Sequence, residues 1–489
     1  MRPRSANRTA LLVKGAFCIV WLLLFALLLH RDSFVRTINS RESAVLEQAR
    51  HTVYQGIYFK DQKIGYAQHH SIPAGDSTMT VSQRAVMDLT ISGQSHPIDL
   101  DLRATVDQGS RLQDFHFSFS SPFYRMEATG TVSGSSVSFT LDTGNSIIED
   151  RITLPDPPLL PTSRRAYLLS QDLTVGEKIR VPWFDPLSLT ARNSLVEYRG
   201  REKTLINQRV YPLHRFTEMF AGVRVNVWLD DHGAVVKEES PAGFVFIREP
   251  EFRAKMAGNG NHDLLAGVSI PITGTMPALA GRQEIRYRLE LPEEGDFDLS
   301  SGRQHFAEPI LTVRRERLPS DESFAADSCI DADRQLQASP YIQSDAEEII
   351  AASREITAGL SSPLAQTAAL AAWVFDHLEK RPVIGIPDAL STLKAGIGDC
   401  NEHASLFAAL ARAAGIPTKI AVGVVWQQDA FYYHAWNEVC IGGTWISLDT
   451  TTNQLPADLT HLKFVEGELQ EQIRIGSLLN NLAIQPLSD

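Results

Sequence analysis

Gly396-Ile-Gly-Asp-Cys-Asn-Glu-His-Ala404 is the stretch on which the reading of this chain turns. Two glycines loosen the approach to Asp399, and aspartate is a residue type that caps helices by accepting a hydrogen bond from a first-turn N–H. Beyond it Leu406, Phe407, Leu410 and Ala414 recur at helical spacing and form one apolar stripe. Gly415-Ile-Pro417 supplies the stop, with glycine at the helix end and proline just past it. Cys400 therefore stands at the N-terminus of a buried helix. Unpaired N–H groups and the helix dipole favour negative charge there, so the thiol is expected to ionise below the ~8.5 of a free cysteine.

Three strands should follow, over residues 418–426, 431–441 and 444–450. Gly442-Gly443 is a two-residue hairpin turn between the last two. Counting back from that turn sets Ile441 against Thr444, Cys440 against Trp445, Trp436 against Asp449 and His434 against Thr451. One face then carries His434, Trp436, Glu438 and Cys440 together with Trp445, Ser447 and Asp449. His434 and Asp449 become diagonal neighbours, whose Cα atoms lie about 7–8 Å apart in such a pair. A cysteine at a helix start, an imidazole and a carboxylate are the three parts of a nucleophilic acyl-transfer site. The thiolate attacks a carbonyl, the imidazolium donates to the leaving amine, and the carboxylate fixes the tautomer.

Gly398-Asp-Cys400, Arg412-Ala-Ala-Gly-Ile-Pro417, His434-Ala-Trp-Asn-Glu438 and Trp445-Ile-Ser-Leu-Asp449-Thr450 together resemble the transglutaminase-like superfamily, and the order Cys, His, Asp matches that family. The resemblance spans residues 345–455. It implies a papain-like α+β core that transfers acyl groups or cleaves peptide and other amide bonds. It further implies Cys400 as nucleophile, His434 as base and Asp449 as orienter, with the Cys400 backbone N–H in the oxyanion hole. Family members often read Asp-Pro-Thr where this chain has Asp449-Thr450-Thr451, but the carboxylate is kept.

Two rivals to this reading come from the same residues. Cys400 and His403 have C-x-x-H spacing, and His434 and Asp449 could complete a metal site; against it, the triad reading needs no metal and no cofactor. His403 is expected to pack or hydrogen-bond beside the site, and Glu402 to do the same or face water. Alternatively the domain is a catalytically idle binding or assembly module of the cell envelope. Trp436 and Trp445 are expected to shield the triad. The chain shows no HExxH, paired CxxC, P-loop or dinucleotide glycine fingerprint.

Upstream, residues 346–360 and 363–378 carry apolar side chains at helical spacing, with Trp373 expected in the core. From Tyr54 to Ile247 segments such as Ile98-Asp-Leu-Asp-Leu-Arg103 and Asp114-Phe-His-Phe-Ser-Phe119 alternate apolar and polar with period two, which predicts half-buried antiparallel strands. No residue cluster there carries recognisable chemistry, so this part reads as scaffold or binding surface.

At the start of the chain Arg2, Arg4, Arg8 and Lys14 precede an apolar run from Gly15 to Leu29. With the preceding residues included, the run approaches the ~20 that a bilayer requires. The basic flank should stay cytoplasmic. No small-x-small site follows Leu29, which favours an uncleaved anchor over a signal peptide. The chain is therefore expected in the inner membrane with a single pass, its bulk in the periplasm. Of its 4 cysteines, Cys18 lies in the anchor, and Cys329, Cys400 and Cys440 would be exported. An odd number in an oxidising compartment implies a free thiol. Cys329 and Cys440 remain open between buried thiols and a disulfide.

The predicted fold class is α+β: an N-terminal transmembrane helix, an antiparallel β-rich middle domain and a C-terminal papain-like transglutaminase core. The divisions are 1–30 for flank and anchor, 31–50 for a polar helical stalk, 51–255 for the β-rich domain, 256–340 for a connector with a small β segment, and 341–489 for the catalytic domain. A net charge of -12 excludes the basic field of a nucleic-acid binder. The expected partners are a protein or peptide substrate and the membrane, through the N-terminal helix.

Overall fold

The computed structural model describes residues 36–37 and 51–487, apart from 76, 108, 162–164, 186–189, 221–222, 257, 259–262, 265–268, 293–296, 320–328 and 479–480. The expected anchor, residues 1–30, lies outside the described residues. Among those described, no helix is long and apolar enough to cross a membrane.

The period-two segments build one 15-stranded sheet. Successive strands from His51–Phe59 to Ile147–Thr153 form one antiparallel meander, and those from Lys178–Asp185 to Phe244–Glu249 form a second. Phe244–Glu249 pairs with His51–Phe59 and joins the two. Alternation sends Ile98, Leu102, Ala104 and Val106 inward, to pack with Phe115, Phe117 and Phe119 of the next strand. Within the expected stalk, Arg36–Thr37 are not helical. They pair in parallel with Ile179 and Arg180, and so cover the backbone groups of an edge strand that would otherwise be unpaired.

The C-terminal region has the expected mixed character. Its helices are Glu347–Ile356, Pro363–His377, Ala389–Ala395 and Cys400–Ala413. Ser362 caps the second through the Ala365 N–H, with proline in its first turn, and Asp388 caps the third through the Ser391 N–H. Trp373 is half-buried against the core and stacks on His377. The sheet beside these helices runs in the order Ile270–Pro271, Ala430–Ile441, Thr418–Gln427, Leu462–Glu466, and Thr444–Leu448 pairs with Ala430–Ile441.

The segment expected as a connector does more than connect. Ile285, Tyr287, Leu289, Leu311 and Val313 belong to the same hydrophobic core as Phe407, Leu410 and Ile446. Glu284–Glu290 also pairs with Ala483–Leu487, the last described strand. Alternating apolar residues on a short strand need a covering face, and the catalytic sheet supplies it. Cys329 and Cys440 are joined by a disulfide that ties this segment to the catalytic strand.

The large sheet reaches the catalytic region at Asp388, which accepts hydrogen bonds from Thr143 Oγ1 (3.2 Å) and Ser146 Oγ (2.5 Å) while capping its own helix. Gly385 lies flat on the Tyr124 ring, where a Cβ would stand 2.4 Å from Cγ. The β-rich part therefore buttresses the helix that leads into the Cys400 loop.

Candidate active site

Asp399 forms a full capping box: its side chain accepts from the Asn401 N–H at 2.9 Å, and Glu402 Oε2 accepts from the Asp399 N–H at 3.0 Å. Gly398 is required beside it, because a Cβ there would stand 2.4 Å from Glu402 Cβ. Cys400 thus takes the first turn of a helix that is buried along nearly its whole length. The Ala435 backbone N–H favours the Cys400 thiolate, which places the thiol near the residue beside His434. Tyr433, on the other side of His434, donates to Asn401 Oδ1 at 3.0 Å, and Asn437 Nδ2 donates to the Ala404 carbonyl at 2.9 Å. The helix and the strand are sewn together along the site.

The hairpin has the expected register from Ile441↔Thr444 to Asn437↔Leu448. Gly442 and Gly443 have φ of 58° and 73°, which the tight turn demands. The third strand ends at Leu448, earlier than predicted. Asp449 leaves the ladder and pairs through its backbone with Gln454 in a tight loop. That turn-back brings its carboxylate to the imidazole: His434 Nε2 lies 3.0 Å from Asp449 Oδ2.

Sequence reading missed the other half of this cluster. His461 Nε2 reaches the same Asp449 Oδ2 at 3.2 Å, and His461 Nδ1 faces Asp458 Oδ1 at 3.1 Å. Thr452 Oγ1 donates to Oδ2 at 2.5 Å, and the Thr451 N–H donates to Oδ1 at 2.8 Å. Every contact made by the Asp449 carboxylate is a donor. Burial opposes its charge, but the hydrogen bonds from His434 and His461 win and hold it well below the usual carboxylate range. His461 is fully buried; burial disfavours its charge, yet the bonds to Asp449 and Asp458 raise its pKa. Arg303, from the former connector, holds this loop by donating to the Ala457, Asp458 and His461 carbonyls. Glu316, from the same segment, accepts from the Ser447 N–H at 3.1 Å. The local signal for His461 was slight: Asp458 makes a short side-chain turn to the Thr460 N–H.

Cys400 departs from expectation. Burial pushes its thiol well above the ordinary value, and the carboxylates of Asp399, Glu402 and Asp449 push the same way, against the Ala435 N–H. That direction runs opposite to the one expected from the helix start alone, because burial is the largest influence on the thiol and outweighs the dipole. Glu402 is itself buried, and burial followed by the Asp399 charge raises its pKa well above the carboxylate range.

Trp436 is buried and stacks on His434, ring centroids 6.2 Å apart, with His461 edge-on at 5.2 Å. It shields the cluster as expected. Trp445 does not; it lies at the turn end of the hairpin under Lys419, 4.2 Å from its ring centre. His403 Nδ1 lies 2.7 Å from the Asp399 carbonyl, beside the site and apart from the Asp449 cluster. Among the described residues, the group able to bring its nitrogen and oxygen atoms within 4.8 Å of one another is His434, Asp449 and His461, not the set containing Cys400 and His403. In the hydrogen-bonded arrangement both Nε2 atoms act as N–H donors to Asp449.

Residues 350–450 match the transglutaminase-like superfamily. This segment is a transglutaminase-like domain. At the level of the family, the chemistry is that of a thiol-dependent enzyme. The match runs from the first catalytic-domain helix through Thr450, so Arg303 and His461 stand outside it. No curated relative matches the chain. Among solved structures, a candidate cysteine protease from Cytophaga hutchinsonii shares 16% identity over 44% of this chain and 82% of its own, with a TM-score of 0.28. A beta-barrel-like protein of Brucella abortus, a domain of unknown function, shares 13% identity over 41% of this chain and 96% of its own, with a TM-score of 0.31. Likenesses of this size bear on neither activity nor substrate.

Proposed function

We propose that the transglutaminase-like domain transfers acyl groups or hydrolyses amide bonds through a Cys400–His434–Asp449 triad. The observation that carries this reading is the buried His434–Asp449 pair, Nε2 to Oδ2 3.0 Å, with Cys400 at the start of the helix that Tyr433 and Asn437 fasten to the His434 strand. Nε2 of His434 is committed to Asp449, which leaves Nδ1 to take the thiol proton. With the thiol held protonated at rest, transfer accompanies attack: the sulfur bonds to the carbonyl carbon as His434 accepts the proton. His434 then gives that proton to the leaving amine as the C–N bond breaks. Water or a second amine attacks the thioester and restores the thiol. Asp449 keeps its charge throughout and stabilises the imidazolium while it exists.

The proposed substrate is an exported protein or a cell-envelope peptide, met on the periplasmic side of an inner membrane to which the N-terminal apolar run anchors the chain. The Cys329–Cys440 disulfide supports an oxidising compartment. The test is to incubate the full chain with exported proteins and cell-wall fragments, quench with acid and weigh the Cys400 peptide. A hydroxylamine-labile adduct on Cys400, lost in His434→Ala, is expected. The upward push on the thiol favours one second reading, an idle binding module. It becomes the better one if no adduct forms and Cys400 alkylates at the same rate with and without His434.

A further inference from the structure

The β-rich sheet carries a cavity of about 300 Å³ on its inner face, remote from the triad. Strand register explains how it is lined. One rung across the sheet runs Gln55↔Ala67↔Ala85↔Leu100, and the next includes His69↔Gln83↔Leu102↔Phe117. All these side chains line the cavity, so both rungs point the same way, and Leu160, Pro161 and Arg165 close it from the other side. The walls are mostly aliphatic and aromatic, and three of the polar side chains among them carry unpartnered atoms. Gln55 Nε2, His69 Nδ1 and Arg165 Nε are buried and have no hydrogen-bond partner among the described residues. Gln55 is 2% exposed and Arg165 is 6% exposed, so bulk water does not supply the partners. Leaving such groups unpaired is destabilising, which a packed scaffold would avoid by placing apolar residues there.

The polarity of these atoms defines what would satisfy them. His69 Nε2 lies 2.8 Å from Gln55 Oε1. The carbonyl oxygen can only accept, so Nε2 carries the proton and Nδ1 is an acceptor. Burial, with Arg165 nearby, lowers the His69 pKa to about 4 and keeps the ring neutral. Gln55 Nε2 and Arg165 Nε are donors. The Arg165 charge is already matched by Glu218 at 2.6 Å and Glu238 at 2.5 Å, and Arg84, the other cation in the lining, pairs with Asp99 at 2.6 Å, so neither is spare for an anion.

We infer that this cavity is a binding site for a small neutral amphiphile, an apolar chain ending in an uncharged group that both donates and accepts, such as a primary amide. The head accepts from Gln55 and Arg165 and donates to His69, while Leu100, Leu102 and Phe117 enclose the chain. The volume is about twice that of an engineered apolar cavity that holds benzene, which sets the ligand near the size of a ten-carbon amide.

The probe is decanamide with a terminal diazirine, photolysed with the full chain in lipid nanodiscs and mapped by peptide mass. The expected adducts lie on the peptides carrying Leu100, Leu102 or Phe117. Excess decanamide protects them, whereas decanoate at pH 8 protects at least tenfold less well. Ala85→Phe fills the cavity and abolishes the adducts. The double variant His69→Phe, Gln55→Leu keeps the walls and weakens protection by decanamide at least tenfold. Label spread over the chain and unaffected by decanamide overturns the site, as water alone would then occupy it. Equal protection by decanoate overturns the neutral head group. Both comparisons are made on the unmodified chain, so they stand even if a variant fails to fold.

Discussion

Replacing Asp449 by asparagine tests the centre of the proposed triad most directly. The carboxylate is 1% exposed, and it accepts from His434, His461, Thr452 and the Thr451 N–H at 2.5–3.2 Å. An amide offers one oxygen and one NH₂. If the NH₂ faces the imidazoles, it meets two N–H groups and a hydroxyl. If it faces the other way, it meets the Thr451 N–H. Either orientation sets donor against donor, and the negative charge between two histidines is gone. Breaking a buried, hydrogen-bonded ion pair from one side costs about 3–5 kcal/mol. For a domain of this size that is roughly 10 °C in Tm. To relieve the clash His434 must turn Nε2 into an acceptor, which moves its proton to Nδ1 and disables it as the base. The same tautomer change in a hydroxyl-based triad lowers turnover on the order of 10⁴-fold. Thermal unfolding, ¹⁵N shifts of the His434 ring and thioester formation on Cys400 read the three consequences separately. An Asp449→Asn variant within about 1 kcal/mol of the parent and within tenfold in acylation would remove Asp449 from the proposed machinery.

Three further outcomes follow from the same geometry. Because burial and the neighbouring carboxylates push the Cys400 thiol upward, its iodoacetamide rate should climb only above the free-cysteine range, and Asp399→Asn, which keeps a cap but removes a charge, should move the rise to lower pH; a plateau at neutral pH would show a resting ion pair instead. His461 has a raised pKa in the folded state, so its contribution to stability is complete below the unfolded value of about 6.5 and is lost as pH rises through the folded value; urea unfolding should show the wild type's advantage over His461→Phe constant in acid and shrinking as pH rises above about 6.5, and a constant gap throughout would mean that His461 carries no charge. For topology, a reporter active only in the periplasm and fused after Asp489 should work, and an active cytoplasm-only reporter at the same place would refute an N-in anchor.

The contrast between Asp449 and Cys400 shows where sequence reasoning holds and where it fails. Asp449 was reachable only in part: the two-residue glycine turn fixes the register as far as Asn437 and Leu448, but Asp449 itself leaves the ladder and meets His434 through a turn-back that counting does not supply. The Asp399 cap was reachable for a similar reason, since it stands just before the helical stripe, whereas the part of Glu402 in the capping box was not read. The charge state of Cys400 was not. The helix dipole was visible in the sequence and so were both neighbouring acids, but the balance depends on how deeply the thiol is buried, which no local pattern shows. The connector failed in the same way. Its alternating strand Glu284–Glu290 was legible, but nothing local tells which surface covers it, and the answer is the catalytic core and the final strand of the chain.

His461 carries that argument to the site itself. It sits on a loop that no periodicity organises, beyond the span that matches the family, and it is held by Arg303 from a segment more than a hundred residues earlier. The arrangement makes Asp449 answer to two imidazoles at once. A carboxylate shared between His434 and a charged His461 has part of its field already neutralised, so it draws less strongly on His434 than a dedicated partner would. For the proposed triad, a thiol that burial pushes toward its neutral form points to proton transfer coupled to attack, and Arg303 holds the loop carrying His461 in place through the Ala457, Asp458 and His461 carbonyls.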